Sequence, residues 1–327
     1  MRKNSKIKNF ILCMSLVLLT AFLTSLFVGK YPLSIEGLLA GEEQMVRVFL
    51  TLRLPRACMA VLAGFGLGVA GMTYQTVFHN PLASPDIIGV SSGASAGAAF
   101  AILFLAGAGF AVMGSAFLGG LIAIILVLAL TSIAPGKGNA SIVLAGIAIH
   151  SLAQTLLMVL KLAADPEKEL ASIEYWIMGS LNGITMDKLP LPFVISFICM
   201  VLLFLLHRQV LLLSVEETEA ALLGVAVEKM RLCILLLATL LVAATVSVTG
   251  LISFVGLLAP HCARLMTKDN RIPTLWLGGL FGGCILSIAD ILARSAAASE
   301  LPVSVFTSLL GAPFLIWLLL RRREDHE

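Results

Sequence analysis

Charge is scarce in this 327-residue chain. Asp, Glu, Lys and Arg make up 13% of it and hydrophobic residues 59%, against about 25% and roughly 45–50% in soluble domains. Its 22 basic and 19 acidic side chains are too few to cover a water-soluble fold of this length. A globular enzyme and a disordered chain are thereby excluded. The net charge of +3 is too small and too scattered to read nucleic-acid phosphates. Cys13, Cys58, Cys199, Cys233, Cys262 and Cys284 each stand alone in apolar runs. With no CxxC pair and no His at zinc-ligand spacing, they read as packing residues, and no metal site is expected. A GxxxxGK[ST] phosphate loop is also missing, so any energy from nucleotide has to come from another chain. No Gly/Ser linker or low-complexity stretch divides the chain, which reads as one domain, 1–327.

What remains is an all-α, polytopic membrane protein. A stretch of about 20 apolar residues crosses a bilayer as a helix, because hydrocarbon cannot solvate unpaired backbone amides. Ten such stretches lie near 9–29, 56–78, 89–108, 111–134, 140–162, 190–207, 231–249, 252–267, 272–296 and 303–320. The first has the basic start of a signal peptide, but Phe10 to Val28 is longer than such an apolar core and no small-x-small site follows. It is kept as a span. With the N-terminus inside, fourteen Lys and Arg fall in the inner flanks and eight in the outer ones. That bias puts both termini in the cytoplasm and favours an even number of spans.

Glycine is plentiful, and it is grouped. Gly64, Gly66, Gly68 and Gly71 share the second span, Gly89, Gly93 and Gly97 run at four-residue spacing in the third, and Gly278, Gly279, Gly282 and Gly283 share the ninth. Helices in lipid associate by close van der Waals approach, which small residues at such spacing permit. The expectation is a tightly packed bundle.

The inner connection 208–230 carries the clearest local signals. Ser214-Val215-Glu216-Glu217 fits a capping box, and Gly224 suits the residue just past a helix end. A short helix over 215–223 and a second turn over 225–231 would present Glu216, Glu217 and Glu219 beside an apolar ridge of Ala220, Leu222, Leu223 and Val225. Such a pair of stubby helices suits docking of a soluble partner. On the outer side, Arg53 and Arg56 flank Pro55 at the start of the second span, and Arg294 follows Asp290 by four residues. Taken singly, Asp290 and Arg294 read as a helix ion pair and Arg53 and Arg56 as interfacial snorkelling; taken together, three arginines on one face suit the carboxylates of an external protein. His79, His150 and His261 lack an acidic partner one helical turn away and read as packing or helix-end residues.

Several segments together resemble one family. Leu52-Arg53-Leu54-Pro55-Arg56, Asn80-Pro81-Leu82-Ala83, Gly89-Val90-Ser91-Ser92-Gly93-Ala94, Trp176-x-x-Gly179-Ser180-Leu181, Phe254-Val255-Gly256-Leu257-x-x-Pro260-His261-x-x-Arg264 and Leu301-Pro302-Val303 with Gly311-Ala312-Pro313 occur in order over residues 50–320. They are similar to the permease subunits of iron-siderophore, haem and cobalamin ABC importers. The resemblance implies a type II importer permease fold of about ten transmembrane helices in the bacterial cytoplasmic membrane. It implies pairing with a second copy or a homologue, two ATPase subunits that hold ATP and Mg, an extracytoplasmic substrate-binding protein, and no cofactor or catalysis in this chain. Glu217, Ala220, Leu223 and Gly224 match the coupling helices of that family. Arg53, Arg56 and Arg294 match arginines offered to glutamates of the binding protein, and Asn139, Ala140 and Ser141 match the cytoplasmic gate. The fifth and tenth spans are similar to its pathway-lining helices. The rival from another class is an ion- or proton-coupled carrier, which places ionisable groups near the midplane; mid-span carboxylates are nearly absent here. A membrane-embedded enzyme lacks paired carboxylates, a His cluster or an activated nucleophile.

Overall fold

A computed structural model describes residues 2–134, 139–214, 226–297 and 299–324. Among them all regular structure is helical: α1 (Arg2–Phe27), α2 (Ile35–Leu39), α3 (Glu43–Val48), α4 (Leu54–Val77), α5 (Val90–Phe104), α6 (Gly109–Ile133), α7 (Asn139–Ala163), α8 (Glu169–Ile177), α9 (Pro190–Leu205), α10 (His207–Leu212), α11 (Val227–Thr249), α12 (Val255–Thr267), α13 (Ile272–Ser295) and α14 (Val303–Glu324). Ten of these have at least 13 residues, and they coincide with the ten expected spans. Six are long and apolar enough to cross a membrane; α5, α9 and α14 contribute shorter apolar stretches, and α12 is the shortest of the ten.

One boundary is corrected. The expectation placed a separate short turn over 225–231 before the seventh span. Instead α11 runs unbroken from Val227 to Thr249, so the described part of that turn is simply its first two turns. Nothing there interrupts it: Glu228 in its first turn complements the positive end of the helix dipole, and no Pro or Gly intervenes.

The long outer connections are structured. Residues 30–55 hold α2, capped by Ser34, whose hydroxyl accepts from the Gly37 amide at 3.0 Å, and α3, which passes through a π turn over Phe49–Arg53 into α4. Residues 163–189 hold α8. Two of the ten helices start abruptly. α5 follows Gly89 and α12 follows Phe254, both with positive φ, 82° and 65°. The chain therefore turns sharply before each of these short helices.

α4 is the hub, packed against α13, α12 and α11. The glycines explain how. A Cβ on Gly64, Gly68 or Gly71 would overlap the backbone carbonyl of Gly282, Gly278 or Gly256 respectively, so α4 touches α13 and α12 backbone to backbone. The same knitting joins α5 to α6, where Gly93 meets Gly119 and Gly97 meets Ser115. A buried hydroxyl pair, Tyr74 Oη with Thr239 Oγ1 at 2.6 Å, adds a polar tie between α4 and α11. Such bonds contribute about 0.6 kcal/mol on average in helical membrane proteins.

Candidate functional site

The arginine end of the bundle, which the charge bias assigns to the outside, gathers five charged groups from three parts of the chain. Asp290 of α13 is fully buried and serves two arginines. Arg56 lies 2.9 Å from Asp290 Oδ1 through Nη2 and also donates to it through Nε at 3.0 Å, while Arg294 Nη2 lies 3.0 Å from Asp290 Oδ2. Arg56 Nη1 also reaches Glu300 Oε2 at 2.9 Å. The remaining donors go to backbone. Arg294 Nη1 donates to Ser25 O and Val28 O at 3.1 and 3.0 Å, and its Nη2 donates to Ser25 Oγ at 2.7 Å. Arg53 donates to Val28 O and, at 3.2 Å, to Tyr31 O. Gly29 makes room for this: its φ is 153°, and a Cβ there would overlap the Arg53 guanidinium.

The helix ion pair between Asp290 and Arg294 is thus present, but snorkelling of Arg53 and Arg56 is not. Arg53 and Arg56 are each 7% exposed and Arg294 4%. Arg56 and Arg294 turn inward to Asp290, a carboxylate that would otherwise be buried without a partner, and Arg53 turns to the Val28 and Tyr31 carbonyls. Glu300, which sequence reasoning passed over, is the fifth member. Its signal is a lone acid in the small-residue stretch between Arg294 and the Leu301-Pro302-Val303 segment.

Nearby, two of the family-like segments meet each other and the end of α11. The Ser180 amide donates to Thr249 O at 2.7 Å, the Val303 amide to Gly179 O at 3.0 Å and Ser304 Oγ to Leu251 O at 2.7 Å. Gly179 and Gly250 both have positive φ and lie against neighbouring carbonyls, so this joint of α8, α11 and α14 closes only with glycine at those positions. Beside it opens a cavity of about 580 Å³ bordered by Lys168, Tyr175, Trp176, Ser180, Lys188 and Thr249.

A second cavity, about 360 Å³, lies where α5 and α12 begin. Asp86, Ser91, Ser92, His150, Gln154 and Ser253 give it a polar lining. His150 and Gln154 belong to α7, and Phe254, on the cavity wall, packs against Gly311 of α14. The cavity therefore borders the fifth span, and Phe254 stands between it and the tenth. Ser91 Oγ donates to the Asp86 carboxylate. Sequence reading left Asp86 in a connecting turn; only the fold carries it to this cavity.

At the opposite end, Arg264 of α12 donates through Nε to Asn270 Oδ1 at 2.8 Å and through Nη1 to Gln75 Oε1 of α4. Gln75 Nε2 in turn donates to Leu257 O at 3.4 Å. Ser214 closes α10, its hydroxyl donating to Leu211 O at 2.6 Å. The coupling positions Glu217, Ala220, Leu223 and Gly224 lie outside the described residues. Of the gate positions, Asn139 opens α7, Ala140 is exposed and Ser141 half-buried. Among the described residues no group of three His, Cys, Asp or Glu is placed to hold a metal ion, and all six cysteines are free thiols.

Among the described residues the helices thus form a glycine-knit bundle with polar cavities between them. Residues 17–321 match the FecCD transport family. Among relatives, the haemin transport system permease protein HmuU of Yersinia pestis is 36% identical, with 95% of each chain covered. The Fe(3+) dicitrate transport system permease protein FecD of Escherichia coli is 35% identical over 96% of this chain and 98% of its own. The molybdate import system permease protein MolB of Haemophilus influenzae is 33% identical, with 92% of each covered. A solved metal-chelate type ABC transporter in an inward-facing conformation superposes with a TM-score of 0.86 at 32% identity, covering 96% of this chain and 99% of that one. This chain belongs to the FecCD transport family and is a multi-pass permease subunit of the ABC-importer type.

Proposed function

We propose that the chain forms one half of the translocation pathway of an ATP-driven importer for a metal chelate, of the ferric siderophore or haem kind. The near end-to-end similarity to the haemin and ferric dicitrate permeases carries this reading. The missing phosphate loop requires that ATP and Mg be held by separate subunits. Two such ATPases would grip the segment 215–225, with Glu217, Ala220, Leu223 and Gly224 at the contact, on the cytoplasmic face where both termini lie. A second permease copy or homologue completes the pathway, with Asn139 to Ser141 at its inner mouth. An extracytoplasmic binding protein delivers cargo at the arginine end. ATP binding draws the ATPases together, their motion passes through the segment 215–225, and the outward-facing state becomes favoured.

The test is reconstitution with the ATPase subunits in vesicles. Leu223→Asp or Gly224→Asp should leave ATP hydrolysis measurable and chain insertion intact while uptake falls at least about tenfold, the change expected when a central interface contact worth roughly 1.4 kcal/mol or more is lost. Full uptake by both variants would remove the segment 215–225 from the coupling path. Uptake that persists without ATP and collapses with an uncoupler would replace the scheme with an ion-coupled carrier.

A further inference from the structure

We infer that Glu300 is a built-in stand-in for the carboxylate of the docking protein, and that docking exchanges one carboxylate for another on a single arginine, Arg56. The inference rests on the proposed delivery of cargo at the arginine end. It narrows the site from three arginines to one.

The donor inventory separates the three. Arg294 is spent on Asp290, Ser25 and Val28, with its side chain 2% exposed. Arg53 is spent on the carbonyls of Val28 and Tyr31 and is wedged over Gly29. Arg56 has two carboxylate partners of opposite character. Asp290 is wholly buried and shared with Arg294, so removing it would strand two cations away from water. Glu300 has a side chain 19% exposed, sits in the connection after α13 rather than in a helix, and Arg56 is its one recorded partner among the described residues. Glu300 is thus the more hydrated of the two carboxylates, and its departure strands no second cation. Replacing its carboxylate with another conserves the charge-assisted hydrogen bond at 2.9 Å to Arg56 Nη1 and leaves Asp290 untouched.

The charge count favours the exchange. Three guanidinium groups face two carboxylates, an excess of one positive charge that the carbonyls of residues 25–31 offset only as dipoles. A partner that brings a Glu or Asp on a protruding surface neutralises that excess while Glu300 swings out to water. The pair Arg56–Glu300 also ties the start of α4 to the connection leading into α14. Its release therefore frees the outer end of α14, the helix at the tenth expected span.

The measurement is the docking affinity of the extracytoplasmic binding protein encoded beside this permease, read by interferometry on the full chain in nanodiscs. Arg56→Gln should abolish docking. Arg53→Gln should lower the thermal midpoint with docking reduced far less. Glu300→Gln removes the competitor and should tighten docking about two- to fivefold, since the incoming carboxylate then displaces no charged partner from Arg56. Glu300→Asp, too short to span the pair, should tighten it less and serves if the Gln variant is unstable. Unchanged or weaker docking in both Glu300 variants, with Arg56→Gln still inactive, overturns the exchange and leaves docking at this end intact. Full docking by Arg56→Gln overturns the docking reading itself.

Discussion

α4 and α7 are both long and apolar enough to cross a membrane, yet α4 is mostly buried within the bundle and α7 mostly exposed on its rim. Hydropathy does not separate them; side-chain size does. α4 carries Gly64, Gly66, Gly68 and Gly71 and meets the carbonyls of α12 and α13 directly. α7 has Gly146 as its one glycine and turns Leu152, Leu156, Met158 and Leu162 outward. In a bilayer an outward Leu costs nothing, because lipid is as apolar as the protein interior, so only close packing distinguishes the core of the bundle from its rim. The rim is where surfaces remain for lipid or for a second permease.

The largest effect is expected at the core side of that contrast. Gly71→Leu places a branched side chain inside the Gly256 carbonyl and should cut the yield of monodisperse, detergent-solubilised protein at least about tenfold, overpacking with no room to relax. Wild-type yield on size-exclusion chromatography would mean that α4 and α12 do not touch as described. At the rim, Leu152→Ala with Leu156→Ala should move the thermal midpoint by less than about 3 °C, since truncating exposed side chains changes stability by only a few tenths of a kcal/mol. A fall of more than about 10 °C would put α7 in the core and erase the contrast.

Much of the bundle was legible in the chain. Long apolar runs mark spans because backbone amides must be satisfied internally in lipid, and the grouped glycines of α4, α5 and α13 announced close contacts that the structure bears out. The arginines were legible as residues but not as a geometry. Arg53 and Arg56 look like headgroup anchors beside Pro55, and nothing local reveals that Asp290, 234 positions later, draws Arg56 inward. Glu300 and Asp86 escaped notice for the same reason: each is a single acid in a connecting stretch, and its meaning depends on what the fold sets against it.

Composition and periodicity determined that this chain lives in a membrane as a helical bundle, because solvation by lipid acts on every residue independently and leaves its trace in sequence. Tertiary structure alone decided which helices form the core, which arginine keeps an exchangeable partner and where polar cavities open beside α7 and α14. Those are pairwise matters of distance, set by backbones that meet at glycine and by charges that find each other only after folding.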